Sequence, residues 1–166
     1  MIKSSEVKAA FAKVETENYA FRLYLKNHAD EDELDEQFRT LHDELFAEYD
    51  CSPCRNCCRE YSACIEDEEI NLAADLLGMS ATEFKEKYIE EAPSEHLINA
   101  KPCCFLKEDG ECQIEACKPE SCRDFPYTDK PARLYTLLST IEAASICPVV
   151  FELLERLKQI YHFRKQ

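Results

Sequence analysis

The chain has 166 residues, with 34 Asp and Glu against 20 Lys and Arg and a formal net charge of -14. That balance repels phosphate backbones and anionic lipid surfaces, so no direct nucleic-acid partner is expected. No apolar run approaches the roughly 20 residues that span a bilayer, and Met1-Ile2-Lys3-Ser4-Ser5-Glu6 lacks the apolar core of a secretory signal, so no membrane association and a cytoplasmic location are expected.

In chain order, Val7, Phe11, Val14, Phe21 and Leu25 recur at steps of three, four and seven, which predicts an amphipathic helix over residues 5–27 with Asn18 interrupting its stripe. Asp30 stands where an N-cap would, Glu31 to Glu33 suit the positive end of a helix, and Leu34, Phe38, Leu41 and Leu45 carry a second helix to residue 49. The short turn between them predicts an antiparallel hairpin. Cys51-Ser52-Pro53-Cys54-Arg55-Asn56-Cys57-Cys58 follows, with four cysteines in eight residues. Ile70, Ala73, Ala74 and Leu77 then predict a helix that Gly78 ends in a left-handed conformation. Ser80-Ala81-Thr82-Glu83 reads as a capping box opening another helix over residues 81–91, with Pro93 just past its end.

Between residues 98 and 127 no period persists, and Glu108-Asp109-Gly110 between two short apolar pieces predicts a small hairpin turned over residues 107–110, or irregular loops. Leu134, Leu137, Leu138 and Ile141 predict a helix over residues 131–144. Pro148 suits the first turn of a final helix bearing Val150, Phe151, Leu154, Leu157 and Tyr161, with Cys147 at its N-terminal edge. The fold expected is mainly α, a small helical domain organised around irregular cysteine-rich loops. Composition shifts only at residue 50, which suggests an N-terminal helical hairpin extension over 1–50 and a cysteine-cluster domain with C-terminal helices over 51–166.

Eleven cysteines in a reducing compartment point to metal ligation more than to disulfides. Two C-x-x-C steps put soft sulfur donors within a few ångströms of one another, as zinc and iron-sulfur centres require. None of His28, His42, His96 or His162 lies inside a cysteine cluster, so ligation through Cys alone is expected. Adjacent Cys57 and Cys58 point in different directions, so the first run either shares its ligands between centres or leaves one thiol outside the coordination sphere. Arg55, Arg59 and Arg123 stand beside the thiols, where they offset charge, donate to sulfur or only solubilise the loops.

The chain resembles the YkgJ-type cysteine-cluster family, a zinc- or iron-chelating domain also seen in flagellin lysine N-methylases. The resemblance spans residues 51–157. It rests on Cys51, Cys54, Cys57 and Cys58, on Cys103-x-x-Leu106 leading through Gly110 to Cys112-x-Ile114, on Pro119-x-x-Cys122-Arg123-x-Phe125-Pro126, and on Cys147-Pro148. Lys118-Pro119 replaces the usual Arg-Pro, keeping the charge and losing a planar fork of donors. The resemblance implies eight metal ligands, Cys51, Cys54, Cys57, Cys58, Cys103, Cys112, Cys122 and Cys147, for an iron-sulfur cluster or zinc. Cys64, Cys104 and Cys117 fall outside the pattern. Methyl transfer does not carry over, because a short chain with two glycines shows no Gly-rich nucleotide loop.

Three readings follow. The first is a redox or sensing protein around an iron-sulfur cluster. The second is a structural zinc protein whose acidic helical hairpin docks a protein partner. The third and weakest is a metal-dependent or thiolate enzyme, since no His/Asp or paired-carboxylate arrangement accompanies the cysteines.

Overall fold

Helices form where apolar spacing and end-capping chemistry coincide. In the computed structural model, which describes residues 1–93 and 95–164, they are α1 (Val7–His28), α2 (Glu31–Ala47), α3 (Asn56–Glu60), α4 (Asp67–Leu77), α5 (Ala81–Tyr88), α6 (Glu120–Arg123), α7 (Arg133–Ala144) and α8 (Pro148–Ile160). Strands β1 (Ile89–Ala92) and β2 (Glu95–Ile98) lie between α5 and α6. The protein is mainly α. The chain divides into two compact units, Met1–Asp50 with Pro126–Gln166, and Cys51–Phe125.

In the first unit, α1, α2, α7 and α8 enclose Phe21, Leu25, Leu34, Phe38, Leu41, Leu45, Leu137, Val149, Leu153 and Leu157. The composition shift at residue 50 places α7 and α8 with the cysteine region, whereas their contacts return them to α1 and α2. Their apolar stripes need a matching apolar face, and the α1/α2 hairpin offers one that neighbourhood in sequence does not reveal. The Asp30 carboxylate accepts from the Glu33 N–H at 3.1 Å, capping α2 as expected. Asn18 does not break α1; it is buried in the helical stripe, and neither of its amide atoms has a hydrogen-bond partner. Lys158 of α8 is also buried, and ion pairs to Glu17 at 3.0 Å and Glu155 at 2.6 Å offset the cost of that burial.

The start of α7 depends on a residue almost a hundred positions away. Ala132 precedes it in a left-handed conformation, and the Asp35 carboxylate of α2 accepts from the backbone N–H groups of Ala132 at 2.7 Å and Arg133 at 2.8 Å. A carboxylate at a helix N-terminus satisfies otherwise orphaned donors and meets the positive end of the helix dipole.

The second unit closes on Ala63, Ile65, Ile70, Ala73, Ala74, Phe84, Ile89, Ile98, Phe105 and Ile114. Ser80 and Glu83 form the expected capping box, with Glu83 N–H to Ser80 Oγ at 3.2 Å and Ser80 N–H to Glu83 Oε2 at 2.8 Å. Periodicity predicts a helix through residue 91, but α5 ends at Tyr88 and the chain turns into an antiparallel pair with Ile89 opposite Ile98 and Ala92 opposite Glu95. The segment before α4 joins the other edge of β2, through Ile98 N–H to Ala63 C=O and Ile65 N–H to His96 C=O, both at 3.0 Å. This pairing is non-local, and it overrides the weak local helix preference of Ile89-Glu90-Glu91.

Two stability outcomes follow from the capping chemistry. Asp35→Ala lowers the urea-unfolding free energy by about 1–2 kcal/mol, the usual loss of a helix-capping carboxylate, while Glu36→Ala changes it by less than about 0.5 kcal/mol. Gly78 ends α4 at φ +70° with nothing within 4 Å of a Cβ built there. Gly78→Ala therefore costs about 1 kcal/mol of backbone strain alone, and Gly78→Asn costs less, as thermal melts of the three proteins will show.

Candidate metal centre

The first cysteine run is a turn followed by a short helix. Cys54 N–H and Arg55 N–H both donate to Cys51 C=O, at 3.1 and 3.4 Å, and Arg55 takes a left-handed conformation with φ 50° before α3 carries Cys57 and Cys58. Arg59 Nη1 donates to Cys54 C=O at 2.7 Å, fastening α3 to the turn. Cys51 is exposed, and Cys54, Cys57 and Cys58 are half-buried.

The second run is anchored to the first through the backbone. Cys103 N–H donates to Cys58 C=O at 2.8 Å. Phe105, two residues on, is buried against Phe84 and Tyr88, with ring centroids 5.7 and 4.9 Å away. The expected hairpin forms here. Gly110 N–H reaches Lys107 C=O at 3.0 Å, Gly110 has φ +87°, and Leu106 bridges to Cys112. Gln113 N–H then donates to Phe105 C=O at 2.8 Å, so Cys112 returns beside the segment that bears Cys103.

The third piece is a 3-10 turn over Glu115–Cys117 leading into α6, where Cys122 N–H donates to Pro119 C=O at 2.9 Å. Arg123 Nη1 donates to Lys118 C=O, and Ser121 Oγ donates to Cys64 C=O at 2.5 Å. Cys103, Cys112, Cys117 and Cys122 all pack at the margin of one apolar cluster.

The thiols differ sharply in acidity. Cys58 is brought down to about 6, chiefly by a hydrogen bond from Cys57; burial opposes this, and the charges of Lys118, Arg55 and Arg59 assist it. Cys103 is brought down to about 7, chiefly by a hydrogen bond from Cys104. Cys122 is pushed up to about 11, first by burial and then by the charge of Cys103, and the field of Cys58 reaches it too. Burial also raises Cys112, with a smaller contribution from Cys103. Cys64 is pushed up to about 12, by burial and then by its hydrogen bond to the Glu95 carboxylate at 2.8 Å. Cys104 is raised by its hydrogen bond to Cys103, and Cys117 by burial.

Cys58, Cys103, Cys112 and Cys122 thus meet in one electrostatic neighbourhood within Cys51–Phe125, drawn from three segments of chain. Cys147 lies in the other unit, as the N-cap of α8, packed against the apolar cluster of that unit. Among the described residues no three His, Cys, Asp or Glu side chains converge closely enough to hold a metal ion as placed. Sulfur is engaged pairwise instead, Cys57 with Cys58 and Cys103 with Cys104.

The chemistry of the donor set nonetheless fits a thiophilic metal, because thiolates are the ligating form and two of these thiols ionise near neutrality, Cys58 with three cations beside it. Two participants were not legible in sequence. Glu95 reaches Cys64 only because β2 pairs with the segment over residues 63–65. Lys118 acts on Cys58 across sixty positions, and its replacement of the usual Arg was the only local sign.

No curated protein and no solved structure matches the chain. The CxxCxxCC family, described as a "putative zinc- or iron-chelating domain", matches residues 50–148, which is more than half of the sequence. By the reach of that match and the order of its cysteines, the chain belongs to the CxxCxxCC family of cysteine-rich, metal-chelating domains.

Proposed function

We propose that Cys51–Phe125 binds zinc or an iron-sulfur cluster through thiolates alone, with Cys58, Cys103, Cys112 and Cys122 as the central donors. The observation that carries this reading is the 2.8 Å hydrogen bond from Cys103 N–H to Cys58 C=O, together with the packing of Cys103, Cys112 and Cys122 at the margin of one apolar cluster. Two stretches of chain are hydrogen-bonded at positions that bear sulfur and a third packs Cys122 at the margin of the same cluster, although the cysteines are up to 64 residues apart along the sequence. Four thiolates suit a tetrahedral zinc ion or a four-iron cluster equally well in charge and softness. Cys51, exposed, and Cys54 and Cys57, half-buried, supply further thiols, enough to extend the set to a second centre or to hydrogen-bond ligated sulfur. Cys147 is held in the ligand set on the strength of its place in the family pattern, and the substitutions below decide its membership.

The protein's own groups have definable tasks. Cys57 donates to Cys58, and Lys118, Arg55 and Arg59 offset the charge that gathers when several thiols ionise together. Cys64, engaged by the Glu95 carboxylate, is kept protonated and outside the donor set. A bound metal of this kind contributes folding energy directly. The acidic hairpin of α1 and α2 keeps the role of partner-docking surface in the structural-zinc version of this reading, and a cytoplasmic location goes with reduced, metal-loaded thiols.

Anaerobic purification followed by a visible spectrum and elemental analysis separates the two metals. Broad brown absorption with iron and sulfide identifies a cluster, a colourless protein with zinc identifies the other centre, and a protein with neither refutes metal binding. The donor assignment has its own check. Cys58→Ser, Cys103→Ser and Cys122→Ser each lose at least half of the bound metal, whereas Cys64→Ser and Cys117→Ser retain nearly all of it. Equal loss from all five overturns the division, and the metal content of Cys147→Ser places that residue in or out of the set.

A further inference from the structure

The cysteine loops carry three arginines, and the structure engages them differently. Arg59 is committed to the backbone through Nη1 and Cys54 C=O at 2.7 Å, and Arg123 through Nη1 and Lys118 C=O. Both brace the loops that present sulfur. Arg55 differs in three respects. Its backbone is left-handed, with φ 50° and ψ 20°, a conformation that carries strain for any residue with a Cβ. Its side chain lies along the hairpin turn, with Cγ 4.0 Å from where a Cβ on Gly110 would stand. Its Nε is buried and has no hydrogen-bond partner.

A buried guanidinium N–H left unpaired is costly, and a strained backbone adds to that cost; such features persist where the group serves the site it faces. The acceptors nearest along the chain are the sulfur atoms of Cys54, Cys57 and Cys58, none of which Nε reaches as placed. Arg55 follows Cys54 directly, and its charge bears on Cys58. Lys118 and Arg59 also bear on Cys58, so charge alone is supplied twice over without Arg55. What Arg55 adds is a planar donor in a dry position, which a lysine cannot reproduce.

We infer that Arg55 is a positioning residue of the metal centre, its Nε–H the hydrogen-bond donor to ligating sulfur of the first cysteine run. The inference rests on the metal-binding reading above. Donation to a metal-bound thiolate lowers the charge density on sulfur and fixes its orientation, and loss of such a partner typically weakens metal binding about 10–100-fold.

The test uses the full-length protein loaded with cobalt(II) alone, its affinity read by competition with a chelator and its sulfur-to-cobalt charge-transfer band read by absorption. Arg55→Lys keeps the aliphatic stem against Gly110 and keeps the charge; Arg55→Gln keeps an N–H donor and removes the charge. Arg55→Lys is expected to bind cobalt about tenfold more weakly with a displaced charge-transfer band, Arg55→Gln to lose less than Arg55→Lys, and Arg39→Lys, an exposed control on α2, to stay within about twofold of the parent. The use of two variants at position 55 keeps the result decisive if one fails to fold. Parent-like affinity and an unmoved band in Arg55→Lys overturn the role of Arg55 and leave the metal centre standing. A parent protein that takes up no metal instead refutes the metal-binding reading, and this inference with it.

Discussion

Backbone hydrogen bonding between sulfur-bearing loops is the constraint on which the cysteine unit depends. Irregular chain carries as many N–H and C=O groups as a helix does, and each must find a partner if it is to sit near a core. Here the partners are taken from the neighbouring cysteine segment, Cys103 N–H from Cys58 C=O and Gln113 N–H from Phe105 C=O, while Ser121 Oγ pairs with Cys64 C=O. The bonds that satisfy the loops are the same bonds that bring the thiols together. Phe105 and Ile114, both fully buried, pin the hairpin that carries Cys112 to the apolar cluster beneath it, so the sulfur atoms stand on a floor of fixed side chains.

Charge then sorts thiols that sequence alone treats as equivalent. In a chain of net charge -14 a cluster of thiolates adds like charge to like, and the cations near Cys58 assist an ionisation that the hydrogen bond from Cys57 chiefly favours. Cys64 faces Glu95 and is held in the opposite state. Cys58 and Cys103 ionise readily because each accepts a hydrogen bond from its own chain neighbour, Cys57 and Cys104. Adjacent cysteines therefore act in pairs of unlike members, one presenting sulfur and the other donating to it. This gives the doubled cysteines a use that does not require both side chains to reach one point.

Helices were legible in the sequence wherever a stripe and a cap occurred together. Asp30, Gly78, Ser80 with Glu83, and Pro148 each stand at the helix end their chemistry suits. The hairpin at Gly110 was legible for the same reason, a local turn signal between apolar pieces. What escaped was non-local. The strands over residues 89–98 depend on a third segment at residues 63–65, the cap of α7 comes from Asp35, and α7 and α8 pack with α1 and α2. Order along the chain recorded which cysteines matter as a family pattern, but not that Cys147 belongs to a different compact unit from the other seven.

The two units differ in what holds each of them. Met1–Asp50 with Pro126–Gln166 has long helices whose stripes enclose Phe21, Phe38 and a set of leucines, with its buried lysine paired to two glutamates and its buried aspartate-capped helix start satisfied. Cys51–Phe125 is a unit of about 75 residues with short elements, and cores of that size rarely supply more than about 3–5 kcal/mol unaided. Half-buried cysteines occupy the margin of its apolar cluster, where another fold would place larger apolar side chains. Thiolate coordination supplies roughly 10–16 kcal/mol in small zinc domains at neutral pH, several times the contribution of such a core. The placing of sulfur at the core's edge thus has an energetic side as well as a chemical one: the smaller unit gives up apolar contact for thiols, and a metal bound by them would return the stability that contact would have supplied.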